Sequence, residues 1–141
     1  MSFRIIRPDT AYTRVPKPDV PQKEPAFLAF LRQQPCLVLG CRTDDVIAHH
    51  VKLERGADGK LKSHNQLGKR PPDSQCVPLS DWLHQHAPDA LHKGNEAAWW
   101  EWRQIDPLVA AAAYYALYEN GVRGTLPIEE STKIWRLAAA K

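Results

Sequence analysis

Two adjacent histidines, His49 and His50, lie in the short apolar stretch Val46–Leu53. Neutral imidazole is a common metal ligand, and its pKa near neutrality also suits a general base. If the stretch is a strand, the two rings point to opposite faces, so one ring can bind a metal while the other reaches towards a substrate. A histidine pair by itself is more often one buried and one exposed residue with unrelated roles.

Three further histidines, His84, His86 and His92, follow the next apolar segment. A metal that activates water needs two or three protein ligands and an open position. One ligand from the strand and two from the following helical region would provide this arrangement. A polar helix surface would explain each residue alone. However, five of the six histidines flank one basic loop, and this clustering favours a site.

The composition and net charge of the chain are compatible with such a site. The 141 residues, 43% hydrophobic and 25% charged, are typical of one globular domain, and the net charge of +3 permits a polyanionic partner. No apolar run is long enough to cross a bilayer, so we expect no membrane association. Residues 1–34 are polar, basic and Pro-rich without an apolar signal region, which predicts a cytoplasmic protein. Three cysteines are too few for a disulfide framework.

The predicted elements place the histidines around the central loop. We expect an extended basic, Pro-rich arm over 1–23, a folded domain over 24–124 and a helical tail over 125–141. Residues 24–32, 82–86, 95–104, 108–120 and 129–139 read as helices, 36–41 and 46–53 as strands, and 55–73 as a long loop. Either Ser80 or Asp81 is expected to cap the helix that carries His84.

Several short motifs follow one another in a specific order between Phe27 and Leu117. They are Gln34-Pro35-Cys36, Ala48-His49-His50-Val51, Gly68-Lys69-Arg70-Pro71-Pro72-Asp73, Val77-Pro78-Leu79, His92-Lys93-Gly94-Asn95-Glu96, Trp99-Trp100 and Ile105-Asp106-Pro107-Leu108. This ordered set resembles HNH (ββα-metal) endonucleases, in particular the phage recombination enhancement (Ref-like) nucleases. The AHHV motif alone is weak, whereas the set is fairly specific.

The resemblance implies an α+β fold, with a ββα-metal hairpin–helix core embedded in additional helices. It implies that His49, His84 and His92 bind a divalent metal (Mg²⁺, Mn²⁺, Ni²⁺ or Zn²⁺) and that His50 is the general base. The implied reaction is hydrolysis of DNA phosphodiester bonds. A phage or prophage role in recombination, with a recombinase filament as a possible partner, is implied by the family alone.

The resemblance also implies how DNA is held. Lys52, the Lys69–Arg70 loop and the N-terminal arm with Arg14 and Lys17 would contact the DNA backbone. Because phosphate contacts carry no sequence information, we expect low sequence specificity.

The chain departs from the family pattern at the structural zinc site. That site uses two CxxC-like halves in the family, but here only Cys36 remains, and Leu39, Ser80 and Leu83 occupy the other positions. The structural zinc is therefore expected to be lost, with apolar packing of Leu39 against Leu83 in its place.

The histidine spacing and the middle position of the HNH triad also differ from the family. The segment from His84 to His92 is longer than the usual HxxxH, so either His92 returns to the metal after a bulge at Pro88, or His86 replaces it. Gln75 stands near the middle Asn of the class and is a candidate to tether the backbone.

Two alternatives remain open from the sequence: a non-catalytic nucleic-acid-binding module on the same scaffold, and a protein-interaction factor. Trp99, Trp100 and Trp102 are expected to pack in the core and at its rim rather than stack on bases. Glu96 is expected to cap a helix or lie on the surface rather than contact a metal. Asp73 is expected to be a turn residue rather than to orient a histidine.

Overall fold

The protein, as described by a computed structural model over residues 23–63 and 71–139, has a mixed α+β fold with two small antiparallel sheets. The strands are β1 (Val46–His50), β2 (Leu53–Arg55), β3 (Leu61–Ser63) and β4 (Cys76–Ser80). The helices are α1 (Pro25–Arg32), a π-helix (Trp82–His86), a 3₁₀-helix (Leu91–Lys93), α2 (Glu96–Arg103), α3 (Pro107–Glu119) and α4 (Ile128–Ala138).

The sheet that carries the histidine pair is formed by β1 and β4. The strands pair antiparallel, with His49 opposite Val77 and His50 opposite Cys76. Every residue of β4 is buried, so this strand lies inside the domain. The π-helix follows β4, so the strand that pairs with β1 leads into the segment that carries His84.

The predicted strand at residues 36–41 is wrong. The segment instead closes on itself: Cys36 N donates to Cys41 O at 3.1 Å, and Gly40 N donates to Cys36 O at 2.8 Å. Gly40 has a positive φ of 69°, which glycine adopts without steric cost. The apolar sequence reflects packing on β4, where Leu37 N donates to Pro78 O, and not membership of the sheet.

The predicted long loop also contains a short hairpin. Strands β2 and β3 pair antiparallel, and the turn between them is closed by Gly56 N donating to Lys60 O at 2.8 Å. This hairpin was not predictable from periodicity, because β3 is polar and largely exposed. Residues 64–70 of the predicted loop lie outside the described part of the chain.

One hydrophobic core joins the sheet to the helices. Phe27 of α1 makes edge contacts with Tyr115 and Tyr118 of α3, at centroid distances of 5.0 and 5.3 Å. Gln34 is 1% exposed and fully used: its side chain donates to Phe30 O and Gly124 O and accepts from Leu126 N. Such satisfied buried polar groups fix one arrangement of the core.

The predicted C-terminal helix forms and packs on this same core. Ile134 and Ala138 of α4 are buried, and Asp106 N donates to Ala138 O at 2.6 Å. Residues 140–141 and the predicted arm, apart from Lys23, lie outside the described residues. Among the helices described, none has the length and apolar character needed to cross a membrane.

Candidate metal centre

Three of the predicted ligands, His49, His84 and His92, come together in the fold. One potential ligand atom from each lies within 4.8 Å of the others. The ring centroids are separated by 5.0 Å between His49 and His84, 5.9 Å between His49 and His92, and 4.1 Å between His84 and His92. Three imidazoles this close can converge on one ion and leave further coordination positions open.

His84 reaches the cluster through the π-helix that follows β4. Ala87 N donates to Trp82 O at 2.7 Å, closing the wide turn. The predicted cap at this helix is wrong: Asp81 makes no side-chain cap. Asp45 has that role instead, because its Oδ2 accepts from Trp82 N at 3.0 Å and from Ser80 Oγ at 2.8 Å. The Thr43 side chain, above all, and then the Trp82 amide lower the pKa of Asp45, so it remains ionised as an anchor.

His92 returns to the cluster after the chain reverses around Pro88. Ala87 leaves the π-helix in an extended conformation, and Ala90 N donates to Ala87 O at 3.0 Å. The 3₁₀-helix then presents His92 beside His84. His86 is not part of this cluster; it is 60% exposed and pairs with Asp81 at 3.1 Å. The arrangement therefore agrees with a bulge at Pro88 and not with His86 as the third member.

Glu96 orients His49, a role that the sequence did not favour. Its Oε2 lies 2.9 Å from His49 Nε2 and also accepts from Trp100 Nε1 at 3.2 Å. Because a carboxylate can only accept, His49 donates through Nε2, and its Nδ1 retains a lone pair for a metal. His49 itself is 3% exposed, so its ring has little freedom to turn.

We predict that Glu96→Gln weakens divalent metal binding by about 10–100-fold, the usual effect of losing a carboxylate behind a ligating histidine. The amide keeps the size of the side chain but lowers its strength as an acceptor for His49. Isothermal titration with Ni²⁺ and Zn²⁺ measures the change. Glu101→Gln is the matched control, since Glu101 is exposed on the same helix. Equal affinities for the wild type and Glu96→Gln would contradict the orienting role.

His50 lies outside the three-histidine cluster and is held by Asp73. Its Nε2 lies 2.8 Å from Asp73 Oδ1, and Asp73 Oδ2 accepts from Glu24 N at 2.8 Å. Asp73 is 3% exposed whereas the His50 side chain is 21% exposed. The carboxylate therefore fixes the proton on Nε2 and leaves the Nδ1 lone pair for a water or a substrate. The orienting role, the less favoured sequence interpretation of Asp73, is the one observed.

Gln75 tethers the backbone that follows the histidine pair, as expected from its position. Its Nε2 donates to Val51 O at 2.7 Å and to Leu53 O at 3.2 Å. Val51 N in turn donates to Gln75 O at 2.9 Å. These bonds hold the end of β1 against the segment before β4.

The surroundings of His84 and His92 favour the neutral forms of these two side chains. Burial, followed by the charges of His49 and His92, lowers the pKa of His84 to about 4. Burial, His49 and Lys52 lower the pKa of His92, against an opposing effect of Glu96. The Nδ1 atom of His84 is buried without a hydrogen-bond partner, and Asp81 Oδ1 lies 3.6 Å away. Three imidazoles with ligand atoms within 4.8 Å of one another are a donor set that fits a transition-metal ion.

The lowered pKa of His84 predicts acid sensitivity of the metal-free protein. His84 protonates at a pH near 6.5 in the unfolded chain and at about 4 in the folded one. The unfolded state therefore binds more protons in this window, and the free energy of unfolding falls as the pH drops from about 6.5 to about 4, by about 1–3 kcal/mol. Urea unfolding in EDTA measures it. His84→Gln should flatten the slope, and His86→Gln should not; an unchanged slope in His84→Gln would refute the assignment.

Cys36 and Ser80, two of the positions at which a structural zinc was expected to be lost, lie next to each other in the fold. Cys36 Sγ accepts from Ser80 N at 3.3 Å. The expected packing of Leu39 against Leu83 is wrong. Leu83 packs against the core, but Leu39 is 48% exposed. The turn at Gly40 directs Leu39 towards solvent.

Of the residues predicted to hold DNA, only Lys52 is described. It is exposed and close enough to His92 to affect its pKa. Lys69, Arg70, Arg14 and Lys17 lie outside the described residues.

The residues that the sequence interpretation undervalued, Glu96 and Asp73, are both carboxylates at motif ends. They end the segments Gly94-Asn95-Glu96 and Pro71-Pro72-Asp73, and their position near the histidines was the available sign of a role at the site. A carboxylate beside a histidine-rich region is the usual partner of a ligating imidazole.

The chain matches no protein-family model, no curated protein and no solved structure.

Proposed function

We propose that this protein is a metal-dependent endonuclease that hydrolyses DNA phosphodiester bonds on a ββα-metal core made of β1, β4 and the helical segment after it. The observation that carries the proposal is the His49–His84–His92 cluster beside a carboxylate-oriented His50. The sequence resemblance to HNH endonucleases supports the same reaction. The resemblance implied His49, His84 and His92 as metal ligands and His50 as the general base.

The roles of the histidines follow from their environments. A bound divalent ion would offset the charge on the phosphate and on the leaving oxygen. His49, held by Glu96, and the neutral His84 and His92 would hold that ion. His50, with its proton on Nε2 facing Asp73, would take a proton from water at Nδ1 and activate it for attack on phosphorus. Asp73, 3% exposed, would stabilise the imidazolium that forms.

The three imidazole donors favour some of the candidate metals over others. Imidazole suits Zn²⁺ and Ni²⁺ better than Mg²⁺ and Mn²⁺, which prefer oxygen ligands. The exposed Lys52 beside the cluster would contact a phosphate. Lys69, Arg70, Arg14 and Lys17 remain candidates for backbone contacts, and a recombinase filament remains a candidate partner.

The test is nicking of supercoiled plasmid after the protein has been stripped with EDTA and reloaded with Mg²⁺, Mn²⁺, Ni²⁺ or Zn²⁺. We expect nicked and linear products with at least one metal and none in EDTA, without strong sequence preference at the ends. The triple variant His49→Ala/His84→Ala/His92→Ala, purified identically, controls for a contaminating nuclease. Absence of nicking with every metal, while DNA is still bound, would replace the proposal by a non-catalytic binding module.

A further inference from the structure

The outer face of α2 carries an exposed tryptophan, Trp102, next to the stacked side chains of Trp99 and Arg103. Trp102 is 76% exposed, in contrast to the core or rim position expected from the sequence, whereas Trp99 is 8% exposed. The guanidinium carbon of Arg103 lies 3.7 Å from the ring centroid of Trp99 and 5.0 Å from that of Trp102. These residues line a shallow depression of about 350 Å³ with Lys93, Asn95 and Ala98, named here the Trp102 groove.

The floor of the Trp102 groove is rigid. Arg103 is held by Asp89 Oδ2 at 3.2 Å, and Trp99 Nε1 donates to Asp89 O at 2.7 Å. The Arg103 side chain is only 12% exposed, so its charge lies over the Trp99 ring rather than in solvent. The Trp102 ring is thus the exposed aromatic surface of the groove. It lies next to Trp99 and Arg103, which are both held by Asp89.

The charges around the groove select the chemistry of an occupant. Lys93 is exposed at its rim, and Lys93 Nζ donates to His86 O at 3.3 Å. Asp89 is already paired with Arg103, so the remaining charge at the groove is positive. A flat ring next to an exposed cation offers a stacking platform for a base and a contact for its phosphate, the combination used by proteins that bind single strands.

We propose that the Trp102 groove binds an unpaired base of single-stranded DNA. The proposal rests on the proposed function in naming DNA as the ligand, and it narrows the substrate class to DNA with a single-stranded segment. In a duplex the faces of each base are already covered by stacking, so the groove offers a contact only to a base outside the helix. A single strand therefore gains this contact and a duplex does not.

The position of the groove relates it to the metal cluster. Glu96 at the start of α2 contacts His49, and Trp102 lies six residues further along the helix, a rise of about 9 Å. Lys93, which lines the groove, directly follows His92 of the cluster in the 3₁₀-helix. The groove thus begins at the residue next to a cluster histidine.

The experiment is fluorescence anisotropy with a labelled 12-nucleotide single strand of mixed sequence and with the matching duplex, both in EDTA. We expect Trp102→Ala to weaken single-strand binding by about tenfold or more and duplex binding by less than about twofold. Trp102→Phe should restore most of the affinity because it keeps an aromatic face. Trp135→Ala is the matched control: Trp135 is 43% exposed and lies on α4, away from the groove.

The outcomes separate this proposal from the nuclease proposal, since EDTA excludes catalysis. Equal binding by Trp102→Ala and the wild type, or equal loss for single strand and duplex, would overturn the stacking role and leave the indole for a protein contact. Nicking activity without a Trp102 effect would overturn only this inference. A selective Trp102 effect without nicking would support it and count against the nuclease.

Discussion

His50→Ala is expected to lower the rate of metal-dependent DNA cleavage by about 10²–10⁴-fold, the usual contribution of a general base. His50 is the histidine of the pair that faces Asp73, and it lies outside the metal cluster. Its loss should therefore remove proton abstraction while leaving metal affinity within about twofold. Single-turnover cleavage of a labelled oligonucleotide gives the rate, and isothermal titration gives the affinity.

The matched control for this prediction is His86→Ala. The His86 side chain is 60% exposed and pairs with Asp81 outside the cluster, so its removal should leave both rate and affinity unchanged. Cleavage that persists in His50→Ala at the wild-type rate would move the base to another group. A parallel loss of metal affinity would instead make His50 part of the metal site.

His84→Ala is expected to reduce metal affinity by more than about 100-fold, because losing a ligand exceeds the effect of losing its supporting partner. The side chain is central to the cluster: its ring centroid lies 4.1 Å from that of His92 and 5.0 Å from that of His49. Cleavage should be lost with the metal. Titration with Zn²⁺ or Ni²⁺ and thermal melting with and without metal measure both consequences.

A folded His84→Ala protein is needed to interpret this loss. Because Nδ1 of His84 has no hydrogen-bond partner in the described structure, removal of the ring should not destabilise the metal-free protein strongly, and its melting temperature in EDTA reports on this. The stabilisation that metal gives the wild type should disappear in the variant. Undiminished metal-induced stabilisation in His84→Ala would exclude the proposed cluster.

The sequence restricted the candidate site to a small set of residues. The clustering of five histidines around one loop indicated a site, and the resemblance implied His49, His84 and His92 as its ligands, with His86 left open as an alternative to His92. Strand periodicity then gave His49 and His50 different faces, and the described structure agrees: one faces Glu96 and the other Asp73. Helices with clear start signals, such as α3 after Asp106 and Pro107, were also predictable, since these signals are local.

The tertiary structure decided what depends on contacts between distant segments. The carboxylate partner of each histidine comes from 47 residues away for His49 and 23 residues away for His50, and no local pattern encodes such a pairing. The choice between His92 and His86 required the chain reversal at Pro88, which sequence spacing allowed but did not fix. The partner of β1 proved to be β4 and not the apolar segment at 36–41, because strand pairing depends on which backbone groups the whole core brings within hydrogen-bonding distance.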